Sequence, residues 1–306
     1  MKYILHSVSY SKTWKGQTEL SLDRFIEKAA ELGYDGIELM GKRPHASPLD
    51  LSPDDRKKLK EALDSKGLEL PCIAGYHDFS RDLKHPDMPS FEKEILFLRE
   101  TIRLAYDLGA GIVRTFSGFL RPEISFDEQW GWCVENLKEG VKYAEDLGII
   151  LALQNHSPLA VHHQDVLQMV AEINSPNMKV ALDAPYVAAT MTPLEKAVLD
   201  TGTLMVYSTA SDHVSRTIAF HHSASATFSM KGKYQLDRTI AVPAGTGEVD
   251  YVEFFRALKK IGYDAYMAYE ICSPIDGGGT EANLDRCARE SLHNLRKICN
   301  AVYDRE

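Results

Sequence analysis

The sequence lacks the features of disulfide-stapled, membrane-spanning and nucleic-acid-binding proteins. Its five cysteines have no Cys-x-x-Cys spacing and do not resemble a disulfide framework, so we expect most of them to be buried thiols. The formal net charge of −9 argues against a nucleic-acid partner, because phosphate binding needs a dense basic surface. No apolar run is long enough to span a membrane, so no membrane partner is expected.

The amino terminus shows no signal-peptide pattern. Its first ten residues carry one lysine and no long apolar run, so a cytoplasmic location is the expectation. Apolar residues make up 44% of the chain and charged residues 26%, which is an ordinary globular balance. With 306 residues, the chain has room for two average domains or for one large α/β barrel.

A glycine that ends a helix and precedes a β-rich run recurs along the chain. These glycines are Gly33, Gly67, Gly109, Gly148, Gly202 and Gly262. Glycine suits the left-handed conformation that ends a helix, so each one indicates a helix followed by a strand. The first three intervals are 34, 42 and 39 residues, which corresponds to one βα unit each.

Eight β-rich runs follow this pattern, and an amphipathic helical stretch follows nearly every one. The runs are Tyr3–Val8, Gly36–Met40, Glu69–Gly75, Ile112–Phe116, Ile149–Gln154, Lys179–Asp183, Leu204–Thr209 and Tyr266–Ile271. Eight alternating units without a linker predict an α/β protein, a single (β/α)8 TIM barrel that forms one domain over residues 1–306. The exposed ring of helices in such a barrel is compatible with a homo-oligomer.

Two further segments complete the predicted barrel. The longest irregular segment, Asp212–Thr246, follows the seventh strand, and a C-terminal helix over Glu281–Val302 follows the last strand. Loops after the strands build the active-site face of a barrel, so we expect this long loop to cover or line the pocket.

Three of the strands end in a small residue followed, two positions later, by a polar residue on the same face. The polar residues are Gln154, Asp183 and Glu270, which should converge at the barrel mouth. Two buried carboxyls there need a cation, a bound proton or solvent between them. If a metal binds, Mg²⁺ or Mn²⁺ suits carboxylate and amide oxygens, whereas zinc favours imidazole.

Other polar side chains lie at or just beyond strand ends. They are His6, Glu38, His77, Arg114, His156, Thr209, Asp212 and His213. Ion pairs and hydrogen bonds that merely hold a barrel mouth together use the same residue types, so a structural role is the alternative for each. His6 is expected to be a core or second-layer histidine.

Several short motifs occur in order over nearly the whole chain. They are Gly-Tyr-Asp-Gly-Ile-Glu-Leu (33–39), Ile-Val-Arg-Thr-Phe (112–116), Leu-Ala-Leu-Gln-Asn-His (151–156), Ser-Pro-Asn-Met-Lys-Val-Ala-Leu-Asp (175–183), Gly-Thr-Gly-Glu-Val-Asp (245–250) and Gly-Tyr-Asp-Ala-Tyr-Met-Ala-Tyr-Glu (262–270). In this order and spacing the chain resembles the xylose-isomerase-like sugar isomerase/epimerase barrels, which include hydroxypyruvate isomerases, ketose 3-epimerases and inosose dehydratases.

The resemblance implies a divalent metal held by Glu, Asp, His and Glu at the ends of strands five to eight. Asp183 and Glu270 match this pattern, and Gln154 would assist them as a ligand, with Mn²⁺ or Mg²⁺ favoured over Zn²⁺. The chain departs from the pattern at Gln154, which replaces a glutamate, and at Thr209, which replaces the histidine. Tyr186 stands where a histidine often follows the strand-six aspartate.

The same resemblance implies proton transfer next to a carbonyl of a small keto-sugar or polyol. Glu270 is the expected base, and a histidine (His77, His156 or His213) is expected to supply the second proton-transfer group, because the amide of Gln154 cannot carry a proton. The residues expected to bind the carbohydrate are Glu38, Arg114, His213 and Asn155.

Two other functions remain open on the same barrel. A keto-sugar or inosose dehydratase needs only one strong base, and a catalytically lapsed carbohydrate-binding barrel would tolerate the substituted ligands. A DNA-repair endonuclease is disfavoured, because it needs a richer His/Glu/Asp cluster and a basic groove.

Overall fold

The computed structural model describes residues 1–80, 90–219 and 235–304. Its strands are β1 (Lys2–His6), β2 (Gly36–Met40), β3 (Glu69–Ala74), β4 (Ile112–Thr115), β5 (Ile150–Gln154), β6 (Met178–Asp183), β7 (Met205–Ala210), β8 (Asp212–Ala219), β9 (Gln235–Val242) and β10 (Tyr266–Tyr269). Eight of them pair in parallel and close into a barrel in the order β1-β2-β3-β4-β5-β6-β7-β10. The predicted (β/α)8 barrel is therefore confirmed.

Helices lie between the barrel strands, and a long helix ends the chain as predicted. They are α1 (Leu22–Leu32), α2 (Pro53–Lys66), α3 (Ser90–Leu108), α4 (Phe126–Leu147), α5 (His163–Ile173), α6 (Ala184–Ala189), α7 (Leu194–Thr201), α8 (Tyr251–Lys260) and α9 (Glu281–Tyr303). None of the helices in the described ranges is long and apolar enough to cross a membrane.

The helix ends follow from local sequence. Ser52 and Ser125 begin α2 and α4 with capping boxes, in which each serine and the acidic residue three positions later satisfy one another's backbone N–H groups. Gly33 and Gly148 end α1 and α4 in the left-handed conformation, with φ of 81° and 67°. These turns deliver each chain segment directly into the next strand.

The interior of the barrel has an apolar layer beneath a polar one. The apolar layer consists of Ile4, Cys72, Ile112, Ala152, Ala181, Tyr207 and Ala268. Two residues further along six of these strands, on the same inner face, lie His6, Arg114, Gln154, Asp183, Thr209 and Glu270, all of them buried. The three alanines of the lower layer are small, so long polar side chains fit above them.

The segment after β7 differs from the irregular loop that the sequence indicated. Its strands β8 and β9 form an antiparallel pair in which Asp212 lies opposite Val242. β-Branched residues such as Val214, Thr239 and Ile240 suit this pairing, although too few alternate with polar residues to indicate strands in advance. Residues 220–234 lie outside the described part of the chain.

Candidate active site

Arg114 is the centre of the polar layer. Its side chain is buried, and it donates from Nε to Glu38 Oε1 at 2.7 Å and from Nη1 to Gln154 Oε1. Its Nη2 lies 3.1 Å from His6 Nε2 and 3.8 Å from Glu270 Oε2. Although burial disfavours its charge, Glu38 and Glu270 raise the pKa of Arg114 above its usual value. The guanidinium is therefore a permanent cation inside the barrel.

Glu38 is the buried counter-ion of this arginine. Besides Arg114, the Cys72 Sγ lies 3.5 Å from Glu38 Oε1. Burial opposes ionisation of Glu38, but the Arg114 guanidinium holds its pKa below the usual value. Glu38 Oε1 therefore holds Arg114, whereas Glu38 Oε2 is buried without a hydrogen-bond partner in the described part of the chain. The substrate contact expected of Glu38 from the sequence stays a prediction.

His6 completes this side of the mouth. Its Nδ1 lies 3.2 Å from the Glu38 carbonyl oxygen, and its Nε2 lies near Arg114 and 3.3 Å from the Tyr76 hydroxyl. Burial lowers the pKa of His6 to about 4, so a neutral ring with its proton on Nδ1 satisfies these partners. Its contacts fit the expected second-layer position.

Gln154 joins the arginine to Asp183. Its Nε2 donates to Asp183 Oδ2 at 2.9 Å and approaches Thr209 Oγ1 at 2.9 Å, while its Oε1 accepts from Arg114. Thr209 Oγ1 also donates to Asp183 Oδ2 at 2.8 Å. The opposite amide orientation would place oxygen against oxygen and N–H against N–H, so these partners fix the orientation of the amide.

Asn155 holds the backbone of Asp183. Its Oδ1 accepts from Asp183 N at 2.6 Å, and its Nδ2 donates to the Asp183 carbonyl at 3.2 Å. Both ends of the amide are engaged and the side chain is buried. Asn155 thus positions Asp183, in contrast to the substrate contact expected from the sequence.

Asp183 and Glu270 line a common cavity of about 640 Å³ at the barrel mouth. Burial raises the pKa of Asp183, although the Thr209 hydroxyl and the Tyr186 backbone N–H oppose the shift. Burial also raises the pKa of Glu270, with Arg114 opposing. The cavity is further lined by Tyr186, Ser211, His213, Thr239, Glu248 and Ser273, among others. The segment after β7 therefore lines the pocket, as predicted.

His156 packs against Tyr186, which lines the cavity. Its Nε2 is 3.2 Å from the Tyr186 hydroxyl, and its ring centroid is 4.6 Å from those of Phe116 and Tyr186. Burial lowers the pKa of His156 to about 4, so the ring is neutral near pH 7.

His77 lies apart from this cluster. Its Nδ1 is 2.9 Å from Thr115 Oγ1, and its ring stacks on Phe79 and meets Phe97 of α3 edge-on. Burial lowers its pKa to about 3. Its contacts lie between the barrel wall and the outer helix α3.

His213 is half-buried at the start of β8 and lines the cavity, and the substrate contact expected of it stays a prediction. Its neighbour Asp212 is buried, and its carboxylate accepts hydrogen bonds from backbone N–H groups. Asp212 Oδ1 accepts from His213 N and Val249 N at 2.9 and 3.1 Å. Asp212 Oδ2 accepts from Gly245 N and Gly247 N at 2.9 and 2.8 Å. Asp212 therefore joins the base of β8 to the segment before α8.

The donors at the mouth do not fit the divalent cation that the sequence suggested. Asp183 Oδ2 already accepts from both Gln154 and Thr209, and the Gln154 oxygen accepts from Arg114. The Arg114 guanidinium stands 3.8 Å from Glu270 Oε2, where it would repel a second cation. Within the described ranges, no group of three or more His, Cys, Asp or Glu side chains is arranged to hold a metal ion.

Sequence reasoning missed two residues at this mouth. The Tyr76 hydroxyl contacts His6, and Lys42 Nζ lies 3.7 Å from the centroid of the Tyr76 ring. Both follow strand ends, Lys42 after β2 and Tyr76 after β3. Position after a strand was the signal that could have identified them.

Several characterised proteins are similar to this chain. Fructoselysine 3-epimerase of Shigella flexneri is 31% identical over 187 residues, which cover 57% of this chain and 66% of that protein, just under two thirds of its length. D-Psicose 3-epimerase of Ruminiclostridium cellulolyticum is 22% identical over 317 residues, covering 96% of this chain and 97% of that protein.

Solved structures share the fold at lower identity. D-Psicose 3-epimerase with D-tagatose from Clostridium cellulolyticum superposes with a TM-score of 0.75 at 20% identity, covering 98% of this chain and 99% of the other. A probable 3-DHS dehydratase from Bacillus anthracis gives a TM-score of 0.71 at 18% identity, covering 97% and 99%. At these identities the likeness concerns the fold alone.

A family model decides the assignment. The model described as xylose isomerase-like TIM barrel matches residues 26–298, which include all barrel strands except β1. The chain belongs to the xylose isomerase-like TIM barrel family.

Proposed function

We propose that this chain is an epimerase or isomerase that moves a proton at the carbon next to the carbonyl of a small ketose or ketose derivative. One observation carries the proposal. The Glu270 and Asp183 carboxyls are buried and line the same cavity, and Glu270 lies 3.8 Å from a permanently charged guanidinium. Two proton carriers and a cation are what epimerisation next to a carbonyl requires.

In the proposed reaction, the Glu270 carboxylate takes the proton from the carbon next to the carbonyl. The electron pair of the broken C–H bond forms a carbon–carbon double bond, and the carbonyl pair moves onto oxygen to give an enediolate. A proton from Asp183 then reaches the opposite face of the same carbon, and the carbonyl forms again. In the reverse direction the two carboxyls exchange roles.

Asp183 replaces the histidines as the second proton carrier in this proposal. His156 is neutral, and its Nε2 is engaged by the Tyr186 hydroxyl. His77 contacts Thr115 and α3 rather than the cavity residues. We therefore assign His156 and Tyr186 to substrate binding, together with His213.

The named relatives support a ketose as substrate. The two relatives described above are a fructoselysine 3-epimerase and a D-psicose 3-epimerase, and both names describe inversion next to a ketose carbonyl. The cavity of about 640 Å³ has room for a substrate of that size.

The test is solvent isotope exchange. Ketoses that include fructose, psicose, tagatose and fructoselysine would be incubated with the protein in D₂O and followed by NMR. We expect deuterium at the carbon next to the carbonyl and a new epimer or isomer. Glu270→Gln and Asp183→Asn should each lower the rate about 10²- to 10⁴-fold, the usual contribution of a positioned acid or base.

Glu253→Gln is the matched control, because Glu253 lies on α8 and accepts from the Glu195 backbone outside the barrel. Its rate should equal that of the unmodified protein. Absence of exchange with every ketose would refute the proposal. Loss of water with a new ultraviolet absorbance would instead indicate a dehydratase, and ligand-induced stabilisation without exchange would indicate a binding protein.

A further inference from the structure

We infer that the Arg114 guanidinium supplies the positive charge that stabilises the enediolate oxygen, and that the site works without a bound divalent metal ion. The inference deepens the proposed function and rests on it. It follows from the disagreement between the donors at the barrel mouth and the metal that the sequence pattern suggested.

The first observation is the position of the guanidinium relative to the proposed base. Arg114 Nη2 lies 3.8 Å from Glu270 Oε2, so a substrate carbon within reach of Glu270 places its carbonyl oxygen near Arg114. The side chain is held from Nε by Glu38 and from Nη1 by Gln154, and its orientation is therefore fixed before any substrate arrives. A preorganised cation of this kind stabilises developing negative charge most effectively.

The second observation is the number of donors that remain. An arginine carries five N–H groups, and Glu38, Gln154 and His6 engage three of them. The other two have no hydrogen-bond acceptor among residues 1–80, 90–219 and 235–304. They are therefore available to the oxygen of an enediolate.

The third observation is the identity of residue 154. A carboxylate at this position would form an ion pair with Arg114 and cancel its charge towards the cavity. The amide accepts one hydrogen bond from Arg114 without a net charge, and its N–H groups point to Asp183 and Thr209. Glu38 is then the single carboxylate hydrogen-bonded to Arg114 in the described ranges. The positive charge of the guanidinium is therefore only partly neutralised and can act on the substrate.

The substitutions at 154 and 209 form one consistent set. Gln154 and Thr209 both donate to the carboxylate oxygen of Asp183 that a metal would otherwise need. The same two residues leave Asp183 held in place by hydrogen bonds in the absence of a cation. A metal site that had merely decayed would not require this closed arrangement of donors and acceptors.

The decisive experiment combines metal titration with isotope exchange. The full chain would be treated with EDTA, desalted and titrated with Mn²⁺, Mg²⁺, Co²⁺ and Zn²⁺ by calorimetry. We expect no stoichiometric binding and an unchanged rate of deuterium exchange after EDTA. Stoichiometric binding that disappears in Asp183→Asn, or exchange that EDTA abolishes and Mn²⁺ restores, would overturn the inference while leaving the proposed function intact.

A second arm tests the guanidinium directly. Arg114→Ala should lower the exchange rate about 10²- to 10³-fold, the usual cost of losing one oxyanion donor, and added guanidinium ion should restore part of the rate in a saturable manner. Equal concentrations of sodium chloride or Mn²⁺ should restore none. Rescue by Mn²⁺ instead of guanidinium would contradict the inference.

Arg56→Ala is the matched control for losing a buried arginine. Arg56 is buried and pairs with Asp107 at 2.7 Å outside the barrel, so this variant should lose stability but not activity and should not respond to guanidinium. Where Arg114→Ala does not fold, Gln154→Glu replaces it. That variant keeps the arginine, and we expect slower exchange and no metal binding from the new ion pair. Faster exchange with Mn²⁺ in Gln154→Glu/Thr209→His would indicate a decayed metal site.

If no ketose shows exchange in any variant, the proposed function fails. The role assigned to Arg114 then fails with it. The metal titration still decides whether the site binds a divalent metal ion, because stoichiometric binding contradicts a metal-free site and the absence of binding supports one.

Discussion

The two halves of the barrel mouth differ in whether their charged side chains are paired with one another or face a cavity. On the β1 to β5 side, Arg114, Glu38 and His6 are buried in a network of mutual hydrogen bonds around the Arg114–Glu38 ion pair. On the β6 to β10 side, the Asp183 and Glu270 carboxyls line an open cavity. The first half holds the positive charge of Arg114 in place. The second half carries the two carboxyls that we propose to act on the substrate.

This contrast explains why the pKa values of Glu38 and Glu270 shift in opposite directions. Glu38 is buried but directly paired, so its pKa falls. Glu270 is also buried, but Arg114 is only at ion-pair distance, and burial raises its pKa. A paired carboxylate stays charged for structural purposes, whereas an unpaired one stays able to exchange protons. Each of the following variants changes a residue on one side of the barrel and tests the role assigned to it.

Removal of the central cation should have the largest effect. Arg114→Met leaves Glu38 as an unpaired buried carboxylate, and we expect a loss of about 3–5 kcal/mol in the free energy of unfolding. Urea denaturation measures it. Adding Glu38→Gln should recover a large part of the loss, because the stranded charge is then gone. A double variant as unstable as the single one would show that Glu38 is not the counter-ion.

Asn155→Asp tests whether the hydrogen bonds of Asn155 hold Asp183 in place. The new carboxylate oxygen would face the Asp183 carbonyl oxygen that now accepts from Nδ2, and we expect a loss of about 1–3 kcal/mol in the free energy of unfolding. Urea denaturation and isotope exchange would be compared. Asn155→Ala removes both hydrogen bonds to the Asp183 backbone without adding this repulsion, so it should lose less stability. Equal losses of stability in the two variants would contradict the role of Asn155 in positioning Asp183.

The raised pKa of Glu270 predicts a dependence of stability on pH. Because this pKa is higher in the folded than in the unfolded chain, Glu270 favours folding at pH values below its unfolded pKa. That contribution is lost as pH rises towards the folded pKa. Glu270→Gln removes this loss, so the variant should gain melting temperature over the parent from about pH 5 to about pH 8. A constant difference across this range would contradict the raised pKa.

His77→Phe should have the smallest effect. The ring stacks on Phe79 and meets Phe97 edge-on, which suits phenylalanine, and one hydrogen bond to Thr115 is lost. We expect a loss of about 0.5–1.5 kcal/mol and an unchanged exchange rate. A large fall in rate with preserved stability would restore His77 to the catalytic role that its sequence position suggested.

The barrel itself was predictable because its signals are local and repeated. Glycines at helix ends, apolar runs and period-two alternation each depend on a few neighbouring residues. The same alternation placed Gln154, Asp183 and Glu270 on one inner face, as the structure confirms. Such periodicity specifies the face on which a residue lies but not its partner.

What the sequence could not give were contacts between distant strands. Arg114 and Glu38 are 76 positions apart, and neither sequence segment indicates that the guanidinium would reach Glu38, Gln154 and His6 together. The direction of His77 was equally hidden, because it follows the end of β3, where strand alternation no longer applies. The β8–β9 pairing depends on two segments separated in sequence.

The carboxylate of Asp212 has a consequence for how this protein could be altered. Four backbone N–H groups, from the start of β8 and from the segment before α8, converge on its two oxygens. A Cβ on Gly247 would lie 2.3 Å from Asp212 Oδ1, so only glycine fits at position 247 beside this carboxylate. Because these bonds anchor the start of β8 and the segment after β9 at one point, the paired cavity residues Ser215 and Thr239 can be substituted while the barrel mouth keeps its shape.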